Sequence, residues 1–248
     1  MSYRSALSSV LIGTITPSAP HSGTRGRFPR ASVAALGEVG LLGLTVSADV
    51  GGGGLGLTEA ADVVAQVSRA CPATGAVLRS HYAAVAFIEA HGSPWVRRKV
   101  AVGHHLSTLA LADAAGEETG PDAAAPPPRA TAHRTGDVVA LHARKHDVVA
   151  AGEADSYIWS SDPAGGAGRA LWLVPADAPG LYVPARPSGA GPRGSGTSTV
   201  CADPVLIPAG ALLVEDDGGL DGVLSTVRAW LDAVPAPRPE PAASTALI

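Results

Sequence analysis

Residues 36–46 read LGEVGLLGLTV, and the chain then runs through Ser47-Ala48-Asp49-Val50 into four glycines, Gly51 to Gly54. Val33, Leu36, Val39 and Leu42 recur every three residues until Gly43, which predicts a short helix with a glycine stop. Leu44 to Val46 follows as a short extended piece. Gly51-x-Gly53-x-x-Gly56 satisfies the spacing of a dinucleotide fingerprint. That fingerprint also needs a buried strand before the glycines and an acidic residue about 20 positions on, at the end of a second strand. Cys71-Pro72 stands there instead. The glycines therefore read as a structural loop that uses positive φ or close backbone approach, and a doubly wound nucleotide fold is excluded.

Outward from this stretch the next hundred residues are mostly helical. Thr58 is the expected cap of a helix to about Ala70, with Val63, Val64 and Val67 on one stripe and Pro72 ending it. A second helix carries Val77, Leu78, Tyr82, Val85 and Ile88 to a stop at Gly92, and Ser93-Pro94 opens a third as cap and first-turn residue. After Gly103 the texture changes to short runs, Leu106 to Leu111, Asp137 to Leu141, Tyr157 to Trp159, Ala170 to Val174 and Thr199 to Cys201, separated by Gly, Pro and Asp. This spacing predicts an antiparallel β domain. One more helix is expected, Asp221 to Ala233, with Val223, Leu224, Val227, Trp230 and Leu231 on one face. The fold class is α+β. Its expected parts are a disordered leader over 1–30, a helical domain over 31–104, an antiparallel β-barrel over 105–217, a single helix within 218–234 and a Pro-rich tail over 235–248.

Composition narrows the function. The chain has 248 residues, 46% hydrophobic and 16% charged, a globular balance. With 47 Ala against 2 Phe and 1 Met, the core must be built from Val, Leu and Ala. Residues 1–110 carry a net charge of +4 and residues 111–248 one of −8, which argues against broad nucleic-acid binding. No apolar run is long enough to span a bilayer, so no membrane partner is expected and a cytoplasmic location is. Cys71 and Cys201 lie far apart without metal-ligand neighbours and read as buried, reduced thiols. His142 and His146, four apart in a strand region, would sit about 13 Å apart along it, too far to share a metal. Glu117, Glu118 and Asp122 read as an acidic surface loop, and Arg193-Gly-Ser-Gly is not a nucleophile elbow. No metal site is expected. His81, on a mostly apolar helix, reads as a hydrogen-bonded structural histidine.

The order of the segments is more informative than any one of them. Leu36 to Val46 with Gly51-Gly52, then Ser80-His-Tyr-Ala-Ala and Gly92-Ser-Pro, resemble the N-terminal helical domain of the acyl-CoA dehydrogenase family. Gly136-Asp, Lys145, Ala154-Asp155, Val174-Pro-Ala-Asp-Ala-Pro-Gly and Arg193-Gly-Ser-Gly-Thr-Ser resemble its middle β-barrel domain. The Val174 to Gly180 and Arg193 to Ser198 pieces are also similar to desulfurisation-type flavin monooxygenases. The resemblance spans about 33 to 217 and leaves the family's C-terminal helical domain without a counterpart beyond residues 221–233, so the chain reads as an abbreviated relative.

The resemblance implies FAD held between helical and barrel domains, with an acyl-CoA or acyl-carrier thioester against its ring. It places Leu111, Ala112, Asp113, Asp147, Val148 and Val149 toward the flavin, and His81, Arg193 and Ser195 toward the substrate. Several positions depart from the pattern. Ala112-Asp113 stands where the family has a hydroxyl residue and Glu, and Gly120-Pro121-Asp122 stands where it has Gly-Ser-Asp. Asp147 replaces an aromatic, and Val149 a hydroxyl. A carboxylate at 147 disfavours an anionic reduced flavin. The family's catalytic Glu comes from the helices without a counterpart, so no catalytic residue is nominated. Three functions remain open: a flavin oxidoreductase of acyl thioesters completed by a partner chain, a non-catalytic homologue serving as a binding or structural subunit, and a flavin monooxygenase. The apolar face of residues 221–233 is expected to fold back on the barrel or to dock another copy or a different chain.

Overall fold

The computed structural model describes residues 2–113, 130–162, 169–185, 189–215, 220–234 and 236–237. Glu117, Glu118, Gly120, Pro121, Asp122 and most of the Pro-rich tail lie outside the described residues.

The expected leader is helical. Helix α1, Tyr3–Val10, runs through a π turn at Leu11–Ile15 into α2, Thr16–Gly23. Leu7, Val10 and Ile15 are buried in the common core. The apolar anchors precede the Pro- and Gly-rich stretch, and the π turn adds one residue to the period, so no regular repeat announces the helix. Helix α3, Arg30–Glu38, then ends before the glycines, and Gly40 takes φ 77°.

Helix α4, Leu57–Ala70, starts one residue before the expected cap Thr58. Gly56 is the N-cap, and its N–H donates to the Glu59 carboxylate at 3.0 Å, half of a capping box. The glycine loop folds against the extended piece through Gly53 N–H to Gly43 O, Gly54 N–H to Val46 O and Leu55 N–H to Leu44 O. A Cβ on Gly52 would lie 2.2 Å from Val46 O, so the close approach expected of the loop is present. Helix α5, Pro72–His91, is buried on nearly every side, and α6, Pro94–Ala101, is capped by the Ser93 hydroxyl.

Two four-stranded sheets follow. One has the order β1 (Ser107–Ala110), β4 (Ser156–Ser161), β5 (Ala170–Pro175), β8 (Leu212–Glu215). The other has β2 (Thr131–Thr135), β3 (Val138–Val148), β7 (Ser198–Pro208), β6 (Leu181–Tyr182). The expected all-antiparallel pairing is corrected at one place: β1 pairs with β4 in parallel, Ser107 opposite Ser156. The sheets meet at an isolated bridge, Asp113 to Lys145, and both send apolar side chains into one core.

Helix α7, Leu220–Ala233, packs on α5. Val227 and Trp230 are covered, and the Trp230 indole N–H donates to Leu57 O at 2.7 Å. The part of the expected face that is covered thus packs on the helical layer of the same chain rather than on the barrel. Arg79 of α5 donates to Leu231 O at 2.6 Å and Val234 O at 2.5 Å, placing a cation at the C-terminal end of α7 where the helix dipole favours it. Replacing Arg79 by Met keeps the stem and removes both bonds, at a cost of about 2–3 kcal/mol. Amide exchange should accelerate across α7 while α4 and α5 stay protected; uniform exchange would show that Arg79 does not hold the helix.

Candidate functional site

Where α5 meets the sheets, a cleft of about 420 Å³ opens, lined by Ser80, Leu109, Asp147, Val149 and Thr197, with Arg79, Leu231 and Pro237 at its α7 side. A larger concavity of about 1030 Å³ lies on the other side of Arg79, walled by Leu111, Ala112, Phe87 and α7. The six positions assigned to a flavin are therefore divided. Asp147 and Val149 share the smaller cleft, and Leu111 and Ala112 the larger one. Asp113 turns to Lys145, and the Val148 side chain is core, 1% exposed.

Asp147 sits in the left-handed region at φ 53°, and Ala150 at φ 56°. This turn brings β3 out of the sheet and aims Asp147 at the 190–197 loop. Its carboxylate accepts the Ala190 N–H at 2.9 Å and contacts His146 Nδ1 at 2.8 Å, and these hydrogen bonds, the amide first, lower its pKa below the usual carboxylate range. Asp147 is a weak base fixed in place.

The three residues assigned to the substrate are not among those lining the cleft. His81 has no exposed surface. Its Nδ1 accepts the Ser107 N–H at 3.2 Å, so Nε2 carries the proton and donates to Leu42 O at 2.9 Å. Burial pushes its pKa down to about 4. Both ring nitrogens are bonded to backbone, in keeping with the structural reading of this histidine from the residues. Ser195 is likewise enclosed, its hydroxyl bonded to Thr197 at 2.7 Å. Arg193 is exposed, with its side chain beside Gly26.

Ser80 joins the cleft walls. Thr108 donates to Val149 O at 2.8 Å, so its oxygen accepts from the Ser80 hydroxyl at 2.6 Å, and Ser80 in turn accepts the Leu109 N–H at 3.2 Å. One relay thus ties α5, β1 and the turn after β3. No group of three or more metal-ligating side chains occurs among the described residues, and no helix there is long and apolar enough to cross a membrane. His142 lies 3.7 Å from Asp203, not near His146's partner. Cys71 and Cys201 are free and buried.

Lys145 was legible only as part of the resemblance. It has no exposed surface, and its ammonium donates to Asp113 at 2.5 Å and Ser160 at 2.9 Å, with the Trp159 ring 5.5 Å away. Burial lowers its pKa, and Asp113 opposes that. The partners are unequal, since Asp113 keeps 40% side-chain exposure. Asp113→Asn strands a buried ammonium and should cost roughly 3 kcal/mol, whereas Lys145→Met leaves a half-solvated carboxylate and should cost less than half as much. Urea midpoints in the reverse order would refute this asymmetry.

His81 also sets a pH dependence. Its folded pKa lies below the unfolded value near 6.5, so its stability contribution is complete above that pH and is lost as pH falls from 6.5 toward 4. The loss amounts to about 3 kcal/mol. Partly buried His105, also depressed by desolvation, adds in the same direction. In His81→Gln the fall in urea midpoint across this window should shrink by more than half; an unchanged fall would clear His81 of the effect.

Comparison with known proteins fits this architecture. Residues 2–103 match the acyl-CoA dehydrogenase N-terminal domain. The probable acyl-CoA dehydrogenase YngJ of Bacillus subtilis (strain 168) is 28% identical over 223 residues, 86% of this chain and 57% of that protein. The chain spans about half the length of the curated relatives it matches. The structure of FkbI, for biosynthesis of the methoxymalonyl extender unit of the Fk520 polyketide, superimposes with a TM-score of 0.74 at 27% identity, covering 90% of this chain and 62% of that one. FMN-bound TdsC from Paenibacillus sp. A11-2 shares the fold, with a TM-score of 0.72 at 20% identity over 85% of this chain and 54% of that one. The helical layer and the two sheets thus have the acyl-CoA dehydrogenase-like fold, and residues 2–103 match that family's N-terminal domain.

Proposed function

We propose that the chain is part of a flavin-dependent oxidoreductase of acyl thioesters, on CoA or a carrier protein, and that it supplies the walls of the site while other groups supply the chemistry. One observation carries the reading: every polar side chain lining the 420 Å³ cleft is already engaged within the chain. Arg79 is bonded to α7, Ser80 to Thr108 and Leu109, Asp147 to Ala190 and His146, and Thr197 to Ser195.

The residues present do not by themselves fit a flavin. Leu109 and Val149 offer apolar walls of suitable size. Among the lining side chains only Arg79 keeps N–H groups beyond those it gives to α7, and the one carboxylate, Asp147, opposes negative charge on a reduced ring. A base to remove an α proton is also lacking among the lining residues. The dehydrogenase names of the relatives and the FMN in TdsC support the assignment to flavin and thioester chemistry by kinship. A non-catalytic binding or structural subunit is the second reading, and the same engagement of the polar groups favours it.

Flavin fluorescence titration separates the two. FAD or FMN should bind weakly but saturably, and Asp147→Asn, which keeps the acceptor for the Ala190 N–H and suits a left-handed residue, should tighten binding about tenfold by removing the charge. Absence of saturable binding of either flavin, by the chain and by the variant, would leave the non-catalytic reading.

A further inference from the structure

The turn between α2 and α3 carries a groove of about 690 Å³ that shares no lining residue with the cleft. Its walls include His21, Ser22, Arg27, Arg30 and Ser32, and no carboxylate. Residues 21–30, HSGTRGRFPR, hold three arginines and a histidine without an acid.

Several donors here are uncommitted, although the Ser32 hydroxyl is bonded to Ser18 at 3.1 Å. Ser22 is 2% exposed, yet its hydroxyl makes no hydrogen bond with any described residue. Helix α3 begins beneath the groove with Pro29 as N-cap, no side-chain cap and no acidic residue in its first turn. Arg30 N–H bonds to Phe28 O and Val33 N–H to Pro29 O, but the amides of Ala31 and Ser32 find no acceptor among the described residues. Arg27 makes no ion pair there, while Arg30 is held by Glu153 at 2.6 Å. Arg193 extends the positive field, its Nε lying 3.3 Å from where a Cβ on Gly26 would stand. A free helix N-terminus favours an anion, and an arginine fork matches a phosphate oxygen pair.

We propose that this groove binds the phosphate or pyrophosphate group of a small anionic ligand, with the Ser22 hydroxyl, the Ala31 and Ser32 amides and the Arg27 guanidinium as donors. The ligand class is a phosphate ester such as a nucleoside diphosphate or the nucleotide end of CoA. The site does not depend on whether the cleft holds a flavin.

Calorimetric titration of the full chain at low and at physiological salt with inorganic pyrophosphate, ADP and CoA tests it. Saturable binding below about 1 mM that weakens with salt is expected. Arg27→Glu, at an exposed position where the circular dichroism spectrum should stay unchanged, should weaken binding by tenfold or more, and Ser22→Ala by about fivefold. Arg98→Glu, on the equally basic but ungrooved surface of α6, should change nothing. Binding of CoA much tighter than of ADP identifies a CoA ester as the ligand, and equal binding identifies the shared diphosphate as what is recognised. The proposal is overturned if none of the three binds saturably, if Arg27→Glu binds like the unaltered chain, or if Arg98→Glu loses as much as Arg27→Glu.

Discussion

Four consecutive residues of α5, Arg79 to Tyr82, hold four parts of the chain to one another. Arg79 takes the end of α7, Ser80 takes β1, His81 takes Leu42 and Ser107, and the Tyr82 hydroxyl donates to Leu41 O at 2.7 Å. Consecutive side chains on a helix point about 100° apart, so only a helix surrounded by structure can engage all four. Ser80, His81 and Tyr82 are buried and Arg79 partly so, and a buried group among them would cost roughly 1–3 kcal/mol if left unpaired. Chain segments that pack around α5 must therefore present a backbone group where these side chains point. This requirement fixes the path of residues 36–46, whose leucines could fill the core in more than one register but whose Leu41 and Leu42 carbonyls can meet Tyr82 and His81 in only one.

The sheets have a comparable fixed point. Lys145 enters between the two sheets with its charge, and Asp113 reaches in from the end of β1 to meet it. A buried ion pair contributes little net stability compared with apolar residues, but it penalises any other pairing of these strands, because a shifted register buries the ammonium alone. The bridge lies next to irregular pairing in β3 between Lys145 and Val148. From there the strand turns through the left-handed Asp147 toward the cleft, so the ion pair and the cleft wall are consecutive features of one strand.

Much of this was legible because it rests on local chemistry. Pro72, Gly92 and Ser93-Pro94 punctuate helices wherever they occur, and the runs at 157–159, 170–174 and 199–201 lie within β4, β5 and β7. The first helices were not legible, because Leu7, Val10 and Ile15 fall out of a 3.6 period at the π turn, and the prolines nearby suggested disorder. The parallel pairing of β1 with β4 leaves no trace in two runs of a few residues. In the site, Asp147 and Val149 could be named from the resemblance, but the sealing of His81 and Ser195 could not, since it depends on backbone groups far off in the chain. Arg79 carried no signal at all: its partners, Leu231 O and Val234 O, are more than 150 residues away.

The two concavities differ in a way that follows from these constraints. The cleft lies beside α5, where the helix's own polar residues have already been drawn into holding the fold, so its walls are left apolar or satisfied. The groove at α2–α3 is lined by the helical layer; Arg30 and Ser32 there are held by Glu153 and Ser18, while the Ser22 hydroxyl, the Arg27 guanidinium and the Ala31 and Ser32 amides make no bond with the described residues. Charge follows the same division: the first 110 residues are net positive and the remainder net negative, and three of the nine basic residues of the first part fall within 25–30. Donors freed from structural work and gathered under a positive field are the ordinary means by which a helix end holds an anion.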